Sequence, residues 1–572
     1  MNKLNTSTQH PKGLWVLFGT EMWERFGYYL MLGIFSLYML DGWNNGGMGF
    51  SATKKSDIYG TYLGLVYLTP FIGGLLADRI LGYRKSIVIG GLMMSAGYFL
   101  LSVHNVTSFY IALLLIILGN GFFKPNISTL VGNLYSPEEL KDKKDSGYNI
   151  FYMGINIGAF ICNFVAAYMR INYGWGHAFA AAGVGMLLGV IIFLMGTKHV
   201  KHVDVVKPLK EGDMPTLKIL GLTVFPMFVF GIIGYLLPGN ILGSDTNDAF
   251  ILGCLPVIGF FIYLAFKAEA KESRAIKALL AVFTCVILFF AIFHQNGDAL
   301  TVWAEDHTDR KMSESVAGVA DKVGMAQVVV NNDIVAMPDA EFNTKIESLR
   351  AEEKAMPAVS VEELQKKSEF SKSIDQLEKS KKYFATLEPT GVPEKGKDLK
   401  LYSTELYQSI NPFWVVLLTP LLVGIWGFLR RKGKEPSTPT KIAIGLLITA
   451  LSALVMVGAV MASNDLASKA SSWWLIASYA VITVGELCLS PMGLSLVSKL
   501  SPPRITALMM GGFFLAISVG NKLSGMLSSL WETIDDKKNY FYLNFGLVMV
   551  AAIMLFLMLK WLNGVMRENN VR

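Results

Sequence analysis

Cysteine is scarce. The four in 572 residues, Cys162, Cys254, Cys285 and Cys488, each lie inside an apolar run and none belongs to a C-x-x-C pair. This argues against a disulfide framework or a thiolate metal site and makes them small buried hydrophobes. Charge is also sparse, at 17% of residues. The excess of +7 sits in short loops, so it is no footprint for nucleic acid. No G-x-x-x-x-G-K-[ST] phosphate loop occurs, which argues against an ATP-driven pump. Met1 to Lys12 is polar and no small-residue cleavage site follows the first apolar run, so that run is expected to stay as a helix rather than leave as a signal peptide.

What the chain has in abundance is apolar surface: 52% hydrophobic residues, 12% aromatic and a mean hydropathy of +0.43. About fourteen segments reach the length of about 20 residues that crosses a ~30 Å hydrocarbon core, and the partner they imply is a lipid bilayer. The class is an all-α multi-pass membrane protein. Basic residues gather in the loops of one side: Arg79, Arg84 and Lys85; Lys141, Lys143 and Lys144; Lys198, Lys201, Lys207 and Lys210; Lys267, Lys271, Arg274 and Lys277; Arg430, Arg431, Lys432 and Lys434; Lys499 and Arg504. The positive-inside rule makes that side cytoplasmic, with both termini in and the chain in the plasma (inner) membrane.

Within the first apolar run stands Glu21-Met-Trp-Glu24-Arg25-Phe-Gly-Tyr28-Tyr29. At helical spacing Glu21, Glu24, Arg25, Tyr28, Tyr29 and Leu32 share about 140° of arc. Charges at that depth cost at least a few kcal/mol unless they pair and line a wet cavity, so this face points away from lipid. A structural ion pair locking the first helix to a neighbour is the other reading of the same residues. Further along, Lys124 precedes Pro125 inside the fourth span and needs a partner, for which Glu21 and Glu24 are the obvious acids; Pro125 frees a carbonyl for a polar neighbour or water. Gly154 and Gly158 form a small-residue packing face on the fifth span, and Asn156 between them wants either an interhelical bond or a ligand. Glu486 is a lone acid in the tenth span, to be neutralised by an amine, a proton or a nearby cation.

These motifs carry a resemblance. The E-x-x-E-R-F stretch, the Phe151-Tyr152-Met-Gly-Ile-Asn156 block, Asn411-Pro412 and the Gly485-Glu486 block resemble, in order and spacing, the signatures of the proton-dependent oligopeptide transporter (POT) family within the major facilitator superfamily. The loop Asp78-Arg79-Ile-Leu-Gly82-Tyr-Arg84-Lys85 resembles the superfamily's conformational loop, where Asp78 can accept from arginines or a helix N-terminus. The resemblance implies a major facilitator fold of two six-helix bundles plus two extra helices. Its parts would be residues 13–200, a linker and extra pair at 201–275, and a second bundle at 276–303 and 408–563. It implies proton-coupled symport of di- and tripeptides, with no cofactor and the proton gradient as driving force. Arg25, Tyr28, Tyr29, Tyr67, Lys124, Tyr152, Asn156, Asn411 and Glu486 would contact peptide, and Glu21, Glu24, Arg25, His294 and Asp298 would couple protons.

The chain departs from its relatives at Leu32 and His294, where the family commonly has an arginine and a glutamate. A histidine needs no arginine opposite it, and Asp298, one helical turn on, is placed to accept from an imidazolium; a neutral histidine hydrogen-bonded inside the bundle is the other reading. Residues 304–407 form a polar extracytoplasmic insert, much longer than an ordinary loop. Phe342, Ile346 and Leu349, then Phe370, Ile374, Leu377 and Phe384, predict a helical hairpin capping the outer face, with strands at Val328 to Val330 and at Ile334 to Val335. The insert shows no nucleophile-base or metal-ligand pattern, and its partner is not legible. Two other functions stay open: carriage of another small solute, nitrate or an acidic metabolite, against which Glu486 argues for a small anion; and a non-transporting peptide sensor signalling through the insert.

Overall fold

The computed structural model describes residues 10–205, 215–357, 360–502 and 505–569. Lys207, Lys210 and Arg504 of the basic loops lie outside them, as do the side chains of Lys141 and Lys144. In chain order the helices are α1 (Lys12–Leu40), α2 (Ala52–Leu76), α3 (Tyr83–Leu101), α4 (Val106–Leu134), α5 (Lys144–Tyr173), α6 (Trp175–Gly196), α7 (Thr216–Leu236), α8 (Asp245–Lys267), α9 (Ala270–Phe293) and α10 (Ala299–Asp306). They continue as α11 (Glu314–Lys322), α12 (Asp339–Ala355), α13 (Val361–Phe384), α14 (Ile410–Arg431), α15 (Thr438–Ala462), α16 (Ser472–Leu500), α17 (Thr506–Thr533) and α18 (Lys537–Glu568). Among the described residues, eleven helical segments are long and apolar enough to cross a membrane. With α1, α3 and the shorter apolar part of α7 they make up the fourteen spans read from the sequence.

Helices α1 to α6 share one apolar core; α9 and α15 to α18 share another, onto which α8 leans through Phe250, Val257 and Phe261. Close approach follows from small residues. A Cβ on Gly158 of α5 would meet the Met22 carbonyl of α1 at 2.3 Å, so α5 packs on the Phe18–Met22–Phe26 line and leaves the Glu21–Arg25 line facing elsewhere. Pro125 cannot bond the Gly121 carbonyl, and Gly73 of α2 packs directly over that group. Asn126 meanwhile donates to the Phe122 carbonyl at 2.7 Å.

The hydrogen bonds that join the bundles gather at the end opposite the termini, where the insert sits. Ser518 donates to the Gly64 carbonyl, Asn163 to Ser409, and Ser409 to the Phe160 carbonyl. There α2 and α17 cross at Gly60 and Gly525, whose Cα atoms leave no room for a side chain.

Two sequence expectations need correction. The seventh span is not a continuous helix from Lys277 to Trp303: α9 ends at Phe293, residues His294–Gly297 make a 3₁₀ turn, and Asp298 is non-helical at φ −124° and ψ −90° before α10 begins. In the insert, Ile334 and Val335 lie in a turn rather than a strand. The strand at Gln327–Val330 (β2) exists and pairs antiparallel with Asp398–Leu401 (β3). Two-residue strands Thr308–Asp309 (β1) and Ala470–Ser471 (β4) pair in parallel and tie the base of the insert to the loop between α15 and α16.

The α12–α13 hairpin is as the apolar stripes predict, with Phe342, Ile346, Ile374 and Leu377 buried in a core of its own. Ser360 and Glu363 form a capping box that starts α13. Ile374→Ala is expected to cost about 2–5 kcal/mol, because Ile374 is fully buried. That loss falls within the insert alone, so limited proteolysis should cut the α12–α13 hairpin while the melting of the membrane helices stays where it was.

Candidate functional site

Arg25 lies at the heart of α1. Its Nη2 donates to Glu24 Oε1 at 2.7 Å, its Nε bonds the other Glu24 oxygen, and Nε stands 3.2 Å from Glu21 Oε1. All three side chains are buried, and Glu21 Oε2 has no partner. Glu24 is therefore saturated and Glu21 is not. The guanidinium also covers the Tyr28 ring at 5.0 Å, and Tyr29 packs edge-on against Tyr28. The charged neighbours of Tyr29 include Arg25, Glu24 and, from the other bundle, Glu486.

Lys124 does not form the expected ion pair with Glu21 or Glu24. Its Nζ sits 4.2 Å over the Tyr67 ring, with both glutamates as electrostatic neighbours rather than contacts. The reason is that Arg25, on the same helix as the acids, already occupies them. Tyr67 in turn meets the His294 ring edge-on at 5.8 Å, so Lys124, Tyr67 and His294 form a line from the first bundle to the second. In the second bundle Asn411 donates to Glu486 Oε2 at 3.0 Å and to Thr483 at 2.9 Å. Two residues 75 apart in sequence, read separately as peptide contacts, are thus neighbours.

Other predicted residues fall differently. Asn156 bonds the Tyr152 carbonyl of its own helix at 2.9 Å, neither an interhelical bond nor a free group, and the Tyr152 side chain is half exposed. Asp298 is not the acceptor of His294. The break at residues 294–298 destroys the one-turn relation, and Asp298 pairs with Lys55 of α2 while accepting from Ser36 of α1 at 3.3 Å. His294 Nδ1 is buried without a partner, its ring stacked on Phe290, and its charged neighbour is Lys124. Leu32 packs on the first bundle's core. In the loop motif, Gly82 takes φ +80°, open to glycine, and Asp78 lies in the preceding turn. The group on the N-terminus of α3 is Asp204, which accepts from the Tyr83 and Arg84 amides at 2.8 and 3.3 Å and from Arg84 Nε at 2.7 Å. Arg79 is engaged, and Lys85 is exposed.

Sequence reading missed the ion pairs that close the insert end. Lys55–Asp298 is one; Lys522 of α17 with Asp57 of α2, at 2.6 Å, is a second; Arg170 of α5 with Glu405 before α14, at 2.5 Å, is a third. Each joins the first bundle to the second. Lys55 and Asp57 stand at the mouth of the second span, where charges look like a solvated flank. Lys522 could have been found, being as isolated in its apolar run as Lys124.

Two helical bundles, charged and aromatic side chains facing one another between them and buried ion pairs across the insert end define a membrane carrier of the two-bundle kind. Comparison with known proteins narrows this. The sequence profile of the POT family matches residues 84–322 and 400–543. The peptide transporter YePEPT of Yersinia enterocolitica is 30% identical over 91% of this chain and 87% of its own. The di-/tripeptide transporter of Lactococcus lactis (strain IL1403) is 28% identical over 96% and 95%. The crystal structure of a POT peptide transporter in complex with sulfate superposes with a TM-score of 0.73 at 27% identity, covering 98% of this chain and 96% of that one. The chain belongs to the POT family and is a membrane transporter, not an enzyme.

Removing one member of a buried pair leaves the other charge uncompensated, at about 3–5 kcal/mol. Asp298→Asn, which strands Lys55, is expected to shift the protein toward a state open at the insert end. Spin labels at Asn44 and Ala467, in exposed loops of the two bundles on that side, should then report a longer distance by double electron–electron resonance; an unchanged distribution would show the pair does not hold the end shut.

Proposed function

We propose that this transporter carries di- and tripeptides into the cell in symport with protons. The termini and basic loops face the cytoplasm, and the insert faces outside. The observation that carries this reading is the division of charge across the cleft: Arg25 and Lys124 on one bundle, Glu486 on the other. An unblocked short peptide has a carboxylate at one end and an ammonium at the other. It bridges a cation of one bundle and the acid of the other, where a simple anion or cation would satisfy only one. The names of the relatives, among them di-/tripeptide transporters, support the same substrate class.

Lys124 is suited to the carboxylate because no acid among the described residues is within ion-pair distance of it, and the Tyr67 ring lies against its ammonium. Glu486 takes the ammonium, steadied by Asn411. The coupling proton goes to Glu21, whose second oxygen is unpartnered, rather than to Glu24, whose two oxygens are both bonded by Arg25. Protonating Glu21 loosens its hold on Arg25 and makes that guanidinium available to the peptide carboxylate. His294 stays neutral, since a second positive charge beside Lys124 with no carboxylate in contact would be unfavourable. The conformation described here, joined at the insert end, is the one that faces the cytoplasm. One charge crossing 100 mV supplies about 2.3 kcal/mol, which supports roughly fifty-fold accumulation.

Glu486→Gln is expected to reduce dialanine affinity by at least an order of magnitude while leaving a peptide with a blocked amino end, already a poor ligand, unaffected. Equal affinity of mutant and wild type for dialanine, by titration calorimetry, would remove Glu486 from the site. His294→Gln is expected to keep gradient-driven accumulation in proteoliposomes, whereas Glu21→Gln keeps exchange and loses accumulation. The reverse pattern would move the proton to the imidazole.

A further inference from the structure

Directly above the closed end, between the bundles and the insert, lies a cavity of about 400 Å³. Its floor is the gate itself. Leu37 follows Ser36, and Val302 hydrogen-bonds the backbone of Asp298 one turn on, so the cavity begins where the Ser36–Asp298–Lys55 contacts end. Its walls come from both bundles, with Trp43 and Trp175 on one side and Glu305 on the other. The roof is α13 of the insert, through Glu378, Lys379 and Lys382, together with Arg350 of α12. The roof is moored to the first bundle by Arg350, which donates to Asn45 at 2.9 Å, and to the second by Lys382 with Asp306 at 2.6 Å.

The roof carries groups with capacity to spare. Lys379 Nζ is 3.9 Å from its nearest acid, Asp41, beyond hydrogen-bond distance. Glu378 gives Arg350 one oxygen, at 3.0 Å, and keeps the other. A cation and an acid with unused bonding capacity therefore line a chamber whose size falls in the range of small-ligand pockets, with indole rings for walls. We propose that this chamber is a second, outer binding site, an antechamber that takes a short zwitterionic peptide before the gate beneath it opens. The ligand carboxylate goes to Lys379 and its ammonium to Glu378. Because both bundles contribute walls, separation of their outer ends opens the chamber downward into the cleft, so a peptide held there is already on the path. The inference rests on the peptide-carrier reading, and it gives the insert a role: it encloses a volume that the bundles alone leave open.

The test uses the full chain with Glu486→Gln, which disables the central site when the peptide-carrier reading holds. Asn44→Cys adds one exposed thiol to the cavity lining, against four buried native cysteines. Labelling of that thiol by a water-soluble maleimide is expected to slow several-fold in dialanine, but not in dialanine blocked at both ends. Adding Glu378→Gln and Lys379→Ala should abolish the protection. If Asn44→Cys fails to reach the membrane, Gly42→Cys, exposed in the same lining, reports instead. No protection, protection by the blocked peptide, or protection that survives the double substitution overturns the antechamber. Failure of the underlying reading shows separately, as unchanged dialanine affinity of Glu486→Gln protein by calorimetry before any thiol is introduced.

Discussion

A buried arginine inside a membrane helix is tolerated when acids pair with it, and Arg25 has two, Glu21 and Glu24, in the preceding turn of its own helix. That clamp governs the rest of the cleft. Because Arg25 claims both oxygens of Glu24 and one of Glu21, Lys124 is released to an aromatic face and one carboxylate oxygen is left over. The packing serves the clamp: Gly158 brings α5 against the Met22 backbone, and the charged line of α1 is left to face the centre. A larger residue at Gly158 would push α5 off and turn that line toward lipid.

The same electrostatic rule operates at the gate with different partners. Lys55–Asp298, Lys522–Asp57 and Arg170–Glu405 are ion pairs between bundles, so rocking the bundles apart breaks them together. Thr61 and Thr246 stand within hydrogen-bond reach of Lys522, and Ser36 within reach of Asp298. These hydroxyls soften the loss without cancelling it. A carrier joined this way at the insert end opens there only when something that binds the separated arrangement better shifts the balance.

Most of the fold was legible because hydropathy reports directly on the bilayer: fourteen apolar runs became fourteen long helices, and the stripes at Phe342 and Ile374 became a hairpin. The cleft residues on α1, α4 and α16 were legible for the same reason, since an ionisable group in an apolar run has no innocent explanation. What failed was pairing. Asp298 was assigned to His294 by helical spacing, and the turn at residues 294–298 voided that spacing; Lys55, its actual partner, lies 243 residues away. Lys124 was assigned to the nearest acids, but nearness in the bilayer said nothing of Arg25's prior claim. Only half of the β2–β3 pair is legible: the valine run at Val328 to Val330 reads as a strand, and its partner Asp398–Leu401, beyond the whole α12–α13 hairpin, does not.

The central claim is that a proton gradient drives peptide through this cleft. Its most direct measurement is uptake of labelled dialanine into proteoliposomes, with an inward acid gradient and an inside-negative potential imposed, and again with both collapsed by an ionophore. The account predicts accumulation above the external concentration in the first case, and equilibration only in the second. Equal uptake in the two, or uptake that stops at equilibrium despite the gradient, would contradict it.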